Sequence, residues 1–130
     1  MPRAFAIEAT AGIVTLTYTG DPSFDEWAST MDEVLQDPAF RPGYGLLLDR
    51  TRLTRAPDAE YIQRVVQYMR THAPQLGGGR VANLVSSDVA YGMARMAQTL
   101  LDRSSGTGQV FRDRAEALKW LQAGQSFRAP

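Results

Sequence analysis

The chain has 130 residues, 44% of them hydrophobic and 22% charged, which suffices for one buried core and is too apolar for disorder. Fourteen Lys and Arg balance fourteen Asp and Glu, so no global field is available to hold nucleic acid or an anionic membrane. There is no cysteine, which excludes a disulfide framework, thiolate metal ligands and a cysteine nucleophile.

Met1 leads straight into an apolar alternation at Phe5 and Ile7, with no basic start and long apolar run, so no signal peptide is expected. No stretch approaches the ~20 apolar residues of a membrane span, and the expected location is cytoplasmic. Residues 4–9 and 12–18 are short β-forming runs split by Thr10-Ala11-Gly12. Val14, Leu16 and Tyr18 alternate with Thr15 and Thr17, the pattern of a half-buried antiparallel hairpin. Ser23 with Glu26 fits a capping box, after which Phe24, Trp27, Met31 and Leu35 fall on one helical face. Pro38 and Pro42 end that helix. Tyr44 to Leu48 is a continuous apolar run ending at Asp49, as expected of a strand buried on both faces.

Pro57 suits the first position of a second helix, with Asp58 and Glu60 in its first turn. Ile62, Val66, Met69 and Ala73 form its core face, and Pro74 is expected to stop it. Gly77-Gly78-Gly79 leads into a strand at Val81 to Val85, with the glycines as flexible returns into the sheet. A third helix is expected to carry Val89, Met93, Met96, Leu100 and Leu101. A short strand at Gln109 to Phe111 precedes a last helix capped by Asp113 with Glu116, bearing Leu118 and Leu121. The order β-β-α-β-α-β-α-β-α predicts one α/β domain over residues 1–130, a mixed sheet with an N-terminal antiparallel hairpin. Residues 125–130 are expected to form a loose tail.

This order resembles the STAS fold of anti-sigma-factor antagonists and sulfate-transporter tails. More closely it is similar to the small bacterial STAS-like proteins grouped with CRAL-TRIO lipid-transfer domains. The residues that carry the likeness are GLLLD at Gly45 to Asp49, GMARM at Gly92 to Met96, and VFRDRAEALKWL from Val110 to Leu121. The resemblance implies a regulatory or protein-interaction role. Anti-sigma-factor antagonists also carry a phosphorylatable serine at the start of the second helix. Here that stretch reads Arg55-Ala56-Pro57-Asp58-Ala59, without a hydroxyl, and the nearby Thr51 and Thr54 do not match the motif.

A hydrolase triad of His72, Asp49 and Ser86 or Ser87 fails on topology. Asp49 and Ser86 fall at the carboxyl ends of strands, whereas His72 ends a helix that runs back to the opposite edge, roughly 20 Å away for a strand of this length. His72 is the one histidine, so no metal site with ordinary ligand spacing starts from it, and no cofactor is implied. The glycine runs precede strands rather than helices and do not make a phosphate cradle.

The candidate binding edge comprises Asp49, Arg50, Thr51, Arg52, Thr54 and Arg55, with Ser86 and Gly92. It follows a central strand, where open α/β sheets bind ligands, and it puts three arginines before a positively polarised helix start. Internal acids (Asp49, Asp58, Glu60) offset that charge in the plainer reading; an anionic ligand or acidic partner does so in the other. Gly92 inside a helix costs about 1 kcal/mol against Ala, which points to close packing or ligand approach there. Tyr61, Val65, Tyr68 and His72 form a second candidate, a stripe beside the core face of the second helix for a partner or self-association. Trp27 and Trp120 read as fold anchors, not ligand platforms. With no usable catalytic set, the expected function is a non-enzymatic regulatory or protein-interaction module. The alternative is a binder of a small apolar or anionic-headed molecule.

Overall fold

The computed structural model describes residues 5–18, 20, 23–52, 58–86, 92, 95 and 107–126. Strands β1 (Phe5–Glu8) and β2 (Ile13–Thr17) pair antiparallel, and β2, β3 (Gly45–Asp49), β4 (Arg80–Leu84) and β5 (Thr107–Phe111) run parallel, in the spatial order β1-β2-β3-β4-β5. Helix α1 (Phe24–Gln36) joins β2 to β3. Helix α2 (Ala59–Thr71) and the single turn α3 (Ala73–Leu76) join β3 to β4, and α4 (Arg114–Ser126) follows β5. The α/β mixed sheet with its N-terminal hairpin is thus the expected one. The expected third helix, with Val89, Met93, Met96, Leu100 and Leu101, falls outside the described residues, although Gly92 and Arg95 are helical.

The strands advance in one direction across the sheet, so right-handed crossovers place α1 and α2 on the same face. Their buried residues Trp27, Met31, Val34, Ile62, Val66 and Met69 share one cluster with Val14, Leu16, Leu46 and Leu48. The period of two sends Ile13, Leu47, Ala82 and Leu84 to the other face, where Ala117 and Leu121 of α4 cover them. Strand β3 is buried along its whole length.

The capping box of α1 is formed: Ser23 N–H donates to Glu26 Oε1 at 3.1 Å, and Glu26 N–H donates to Ser23 Oγ at 3.2 Å. Asp113 Oδ1 accepts from the Ala115 and Glu116 N–H groups in the same way at α4. Four local expectations are corrected. Asp58 is the N-cap of α2, its Oδ1 accepting the Tyr61 N–H at 2.8 Å, so Pro57 precedes the cap instead of opening the helix. Pro74 does not end α2, which closes at Thr71. It sits in the first turn of α3, where a missing N–H costs nothing.

The glycine run is close packing, not slack. Gly77 takes a left-handed φ of 72° to terminate α3, and a Cβ on Gly79 would run into the Tyr44 carbonyl oxygen and the Gly43 backbone. Gln125, expected in a loose tail, belongs to α4, and its Nε2 donates to the Gly43 carbonyl at 2.8 Å. Residues 127–130 lie outside the described residues.

Two glycine substitutions should therefore act in opposite directions under urea denaturation. Gly79→Ala should lower the unfolding free energy by more than about 2 kcal/mol, because backbone must move. Gly92→Ala should raise it by roughly 0.5–1 kcal/mol, since a Cβ there meets open space in a helix.

Candidate functional site

The carboxyl ends of β2, β3 and β4 form the edge at which the candidate residues collect. Asp49, the last residue of β3, is 6% exposed and is the one charged side chain in the core among the described residues. Following Leu47 by two, it faces the α4 side, where Arg114 in the first turn of that helix reaches Oδ2. Oδ1 accepts the Thr51 N–H at 3.0 Å and the Thr51 hydroxyl at 2.6 Å. Burial alone would raise the Asp49 pKa, but the two Thr51 hydrogen bonds and the Arg114 guanidinium outweigh it and hold the carboxyl below its ordinary value. Ser86 Oγ donates to the Thr51 carbonyl at 3.2 Å and ties the end of β4 to the same turn.

Arg50 goes the other way. It continues the Leu46, Leu48 alternation onto the α1–α2 face, where its Nε donates to Asn83 Oδ1 at 3.2 Å and its guanidinium carbon stands 5.2 Å from the centre of the Tyr18 ring. Beneath it, Tyr18 is 5% exposed and Trp27 is 1% exposed. Neither the Tyr18 hydroxyl nor the Trp27 indole N–H has a hydrogen-bond partner among the described residues. Burial pushes the Tyr18 pKa far above its ordinary value, against an opposing pull from Arg50, so the hydroxyl stays protonated. The residues expected along a single edge thus lie on two faces, divided by the sheet.

Arg52 is exposed at the turn, and Thr54 and Arg55 lie outside the described residues. Gly92 is exposed with open space where a Cβ would stand, so close packing does not account for it among the described residues. The α2 stripe is not an open aromatic surface. Val65 and Tyr68 belong to the core cluster, with Tyr61 half-buried against it. The Tyr68 ring meets Trp27 edge-on at 5.2 Å, and its hydroxyl donates to Asp32 Oδ1 at 2.6 Å on α1. Burial and this Asp32 contact both raise the Tyr68 pKa. His72 stacks on Tyr68 at 3.9 Å, with Nδ1 2.9 Å from the Tyr68 carbonyl oxygen. A stripe next to the core face becomes core when a second helix packs across it, as α1 does here.

Sequence reasoning passed over Tyr18, Trp27, Asn83 and Arg114 as members of the edge. Period two extended past the strand ends would have put Tyr18, Arg50 and Asn83 on one face. The Asp49–Arg114 pairing bridges 65 residues and had no local signal.

No group of three or more His, Cys, Asp or Glu side chains that could hold a metal occurs among the described residues, and none of their helices is long and apolar enough to cross a membrane.

No protein-family model matches the chain, and no curated protein matches it. Among solved structures it is similar to an uncharacterised protein of the DUF3478 family from Shewanella loihica, described as having a SpoIIAA-like fold. The two superpose with a TM-score of 0.56 at 18% identity, over 84% of this chain and 82% of that one. The fold is SpoIIAA-like. This is the STAS-like architecture that the GLLLD and VFRDRAEALKWL segments suggest, and at that identity the likeness establishes the fold alone.

The pH dependence of Asp49→Asn tests the carboxylate's role. A folded-state pKa held below the unfolded one means that the stabilisation is complete above the unfolded value of about 4 and is lost as pH falls through the folded value. Asp49→Asn should therefore be about 1–3 kcal/mol less stable than wild type at pH 7. The gap should close below pH ~4 in urea titrations; a gap constant with pH would contradict the assignment.

Proposed function

We propose that the protein is a non-enzymatic interaction module that presents the strand-end edge, through Arg52, to an acidic surface on a protein partner. The observation that carries this reading is the employment of Asp49. Both of its oxygens hold the edge in shape, so the one buried carboxylate among the described residues is not free to move a proton. Ser86 donates to a carbonyl rather than to a base, and His72 closes α2 at the opposite edge of the sheet. No nucleophile–base pair is assembled among the described residues.

Arg52, by contrast, is exposed and makes no hydrogen bond or ion pair with another described residue. It stands in the turn that Asp49, Thr51 and Ser86 hold, and a cation on a fixed turn loses little backbone entropy on meeting an acidic partner. The SpoIIAA-like fold supports the reading, because this strand-end region is where open α/β sheets bind.

Affinity capture with mass-spectrometric identification, followed by calorimetry on the captured protein, tests it. Arg52→Glu should weaken binding by roughly tenfold or more and added salt should weaken the wild-type complex. Lys119→Glu, at an exposed site on α4, should leave affinity unchanged. Equal binding by Arg52→Glu, or indifference to salt, would remove this edge from the interface.

A further inference from the structure

We propose that the Tyr18 hydroxyl, the Trp27 indole N–H and the Arg50 guanidinium form a binding site for the oxyanion of a small molecule, a carboxylate or phosphate, at the carboxyl ends of β2 and β3. This site is separate from the partner edge at Arg52.

Buried polar groups are almost always hydrogen-bonded, and an unpaired one calls for an explanation. Here two are adjacent and without a formed hydrogen bond among the described residues; the Trp27 N–H stands near enough to the Tyr18 oxygen that a hydrogen bond from it lowers the Tyr18 pKa, and that pairing would still leave the Tyr18 hydroxyl proton without an acceptor. An indole N–H can only donate, and a tyrosine hydroxyl held protonated by burial is a ready donor. What they lack is an acceptor.

The surroundings offer more donors. Only the Nε–H of Arg50 has an acceptor among the described residues, which leaves four guanidinium N–H groups and a full positive charge above the Tyr18 ring. Tyr61, in the first turn of α2, is near enough to raise the Tyr18 pKa, and its own hydroxyl donates to no described residue. Among the described residues, two carboxylates of this edge are committed elsewhere. Asp49 faces α4 across the sheet, and Asp58 caps α2. Several donors and one cation, with no acceptor bonded to the Tyr18 and Trp27 groups among the described residues, are complementary to an oxyanion, which accepts from all of them and neutralises the guanidinium. The Trp27 ring remains a fold anchor; the ligand would use only its N–H.

Trp27 and Trp120 are the two tryptophans, so an 15N-labelled sample gives two indole N–H resonances, one in the site and one on α4 as an internal reference. Sodium acetate and sodium phosphate are titrated separately at ionic strength matched with sodium chloride. The Trp27 resonance should shift saturably with one or both anions while Trp120 stays put, and the responding anion identifies the oxyanion class. Tyr18→Phe and Arg50→Gln should each weaken the response about tenfold or more. Arg52→Glu should leave it unchanged, which separates this site from the partner edge. Should Tyr18→Phe unfold, Arg50→Gln carries the comparison. No saturable shift with either anion, equal shifts at both tryptophans, or wild-type titration by Arg50→Gln would overturn the proposal.

Discussion

Strand β3 lies at the centre of a parallel sheet with every one of its five residues buried. Water cannot reach its backbone, so both edges must be paired, and β2 and β4 supply those ladders. Its leucines point to both faces, so neither face can be left to solvent. Burying each stabilises the fold by about 1.5–3 kcal/mol, but only if a helical layer covers each side. Right-handed crossovers deliver α1 and α2 to one face, and the chain returns across the other as α4. That helix packs so closely that a Cβ on Gly45 would stand 3.1 Å from Leu121 Cδ2. The smallest residue of β3 marks where the α4 layer comes nearest.

The last position of that strand is where the apolar pattern breaks, and it breaks in a satisfied way. A buried carboxylate is costly when unpaired, and removing one partner of such a pair leaves the other stranded. Asp49 meets this cost with two hydrogen bonds from Thr51 and one from Arg114. Each partner also fixes something else. Thr51 folds the exit of β3 into a turn, Ser86 bonds that turn to the end of β4, and Arg114 registers the first turn of α4 against the sheet. The half-exposed guanidinium keeps part of its hydration, so the pair resembles a fastening at the rim more than an ion pair sealed in oil. A rim held in this way would present Arg52 to the proposed partner as a placed charge.

Local signals in the sequence were reliable wherever a single short-range interaction decides the outcome. The Ser23–Glu26 box, the apolar run from Leu46 to Leu48 and the hairpin alternation each depend on neighbours a few residues away, and each appears as expected. Apart from the cap at Asp58 and the place of Pro74, the misses are long-range. The α2 stripe reads as a flanking surface until α1 packs over Val65 and Tyr68, and Gly79 reads as a flexible return until the Tyr44 backbone closes on it. The candidate edge reads in the sequence as one rim. Arg50 and Asp49 are adjacent in sequence and on opposite faces in space, and the partners that give each its role come from 33 and 65 residues away.

That division bears on how the polar groups of the two faces differ. On the α4 face, every polar atom of Asp49 has a partner, and the arrangement is explained in full by the fold it supports. On the α1–α2 face the opposite holds. Phenylalanine at position 18 would fill nearly the same volume with no hydroxyl to satisfy, and the orphaned group costs the folded state on the order of 1–3 kcal/mol. The Trp27 N–H adds a second such cost beside it. Sequence-level rules are expected to be broken where a protein binds something, since a site must keep its donors unspent until the ligand arrives. Satisfied polar groups on one face of β3 therefore read as structure, and unsatisfied ones on the other read as a place held for a ligand. Because the sheet separates them, a substitution on the Asp49 face would alter stability without touching the proposed ligand site, although Asp49 and Arg50 are bonded to one another.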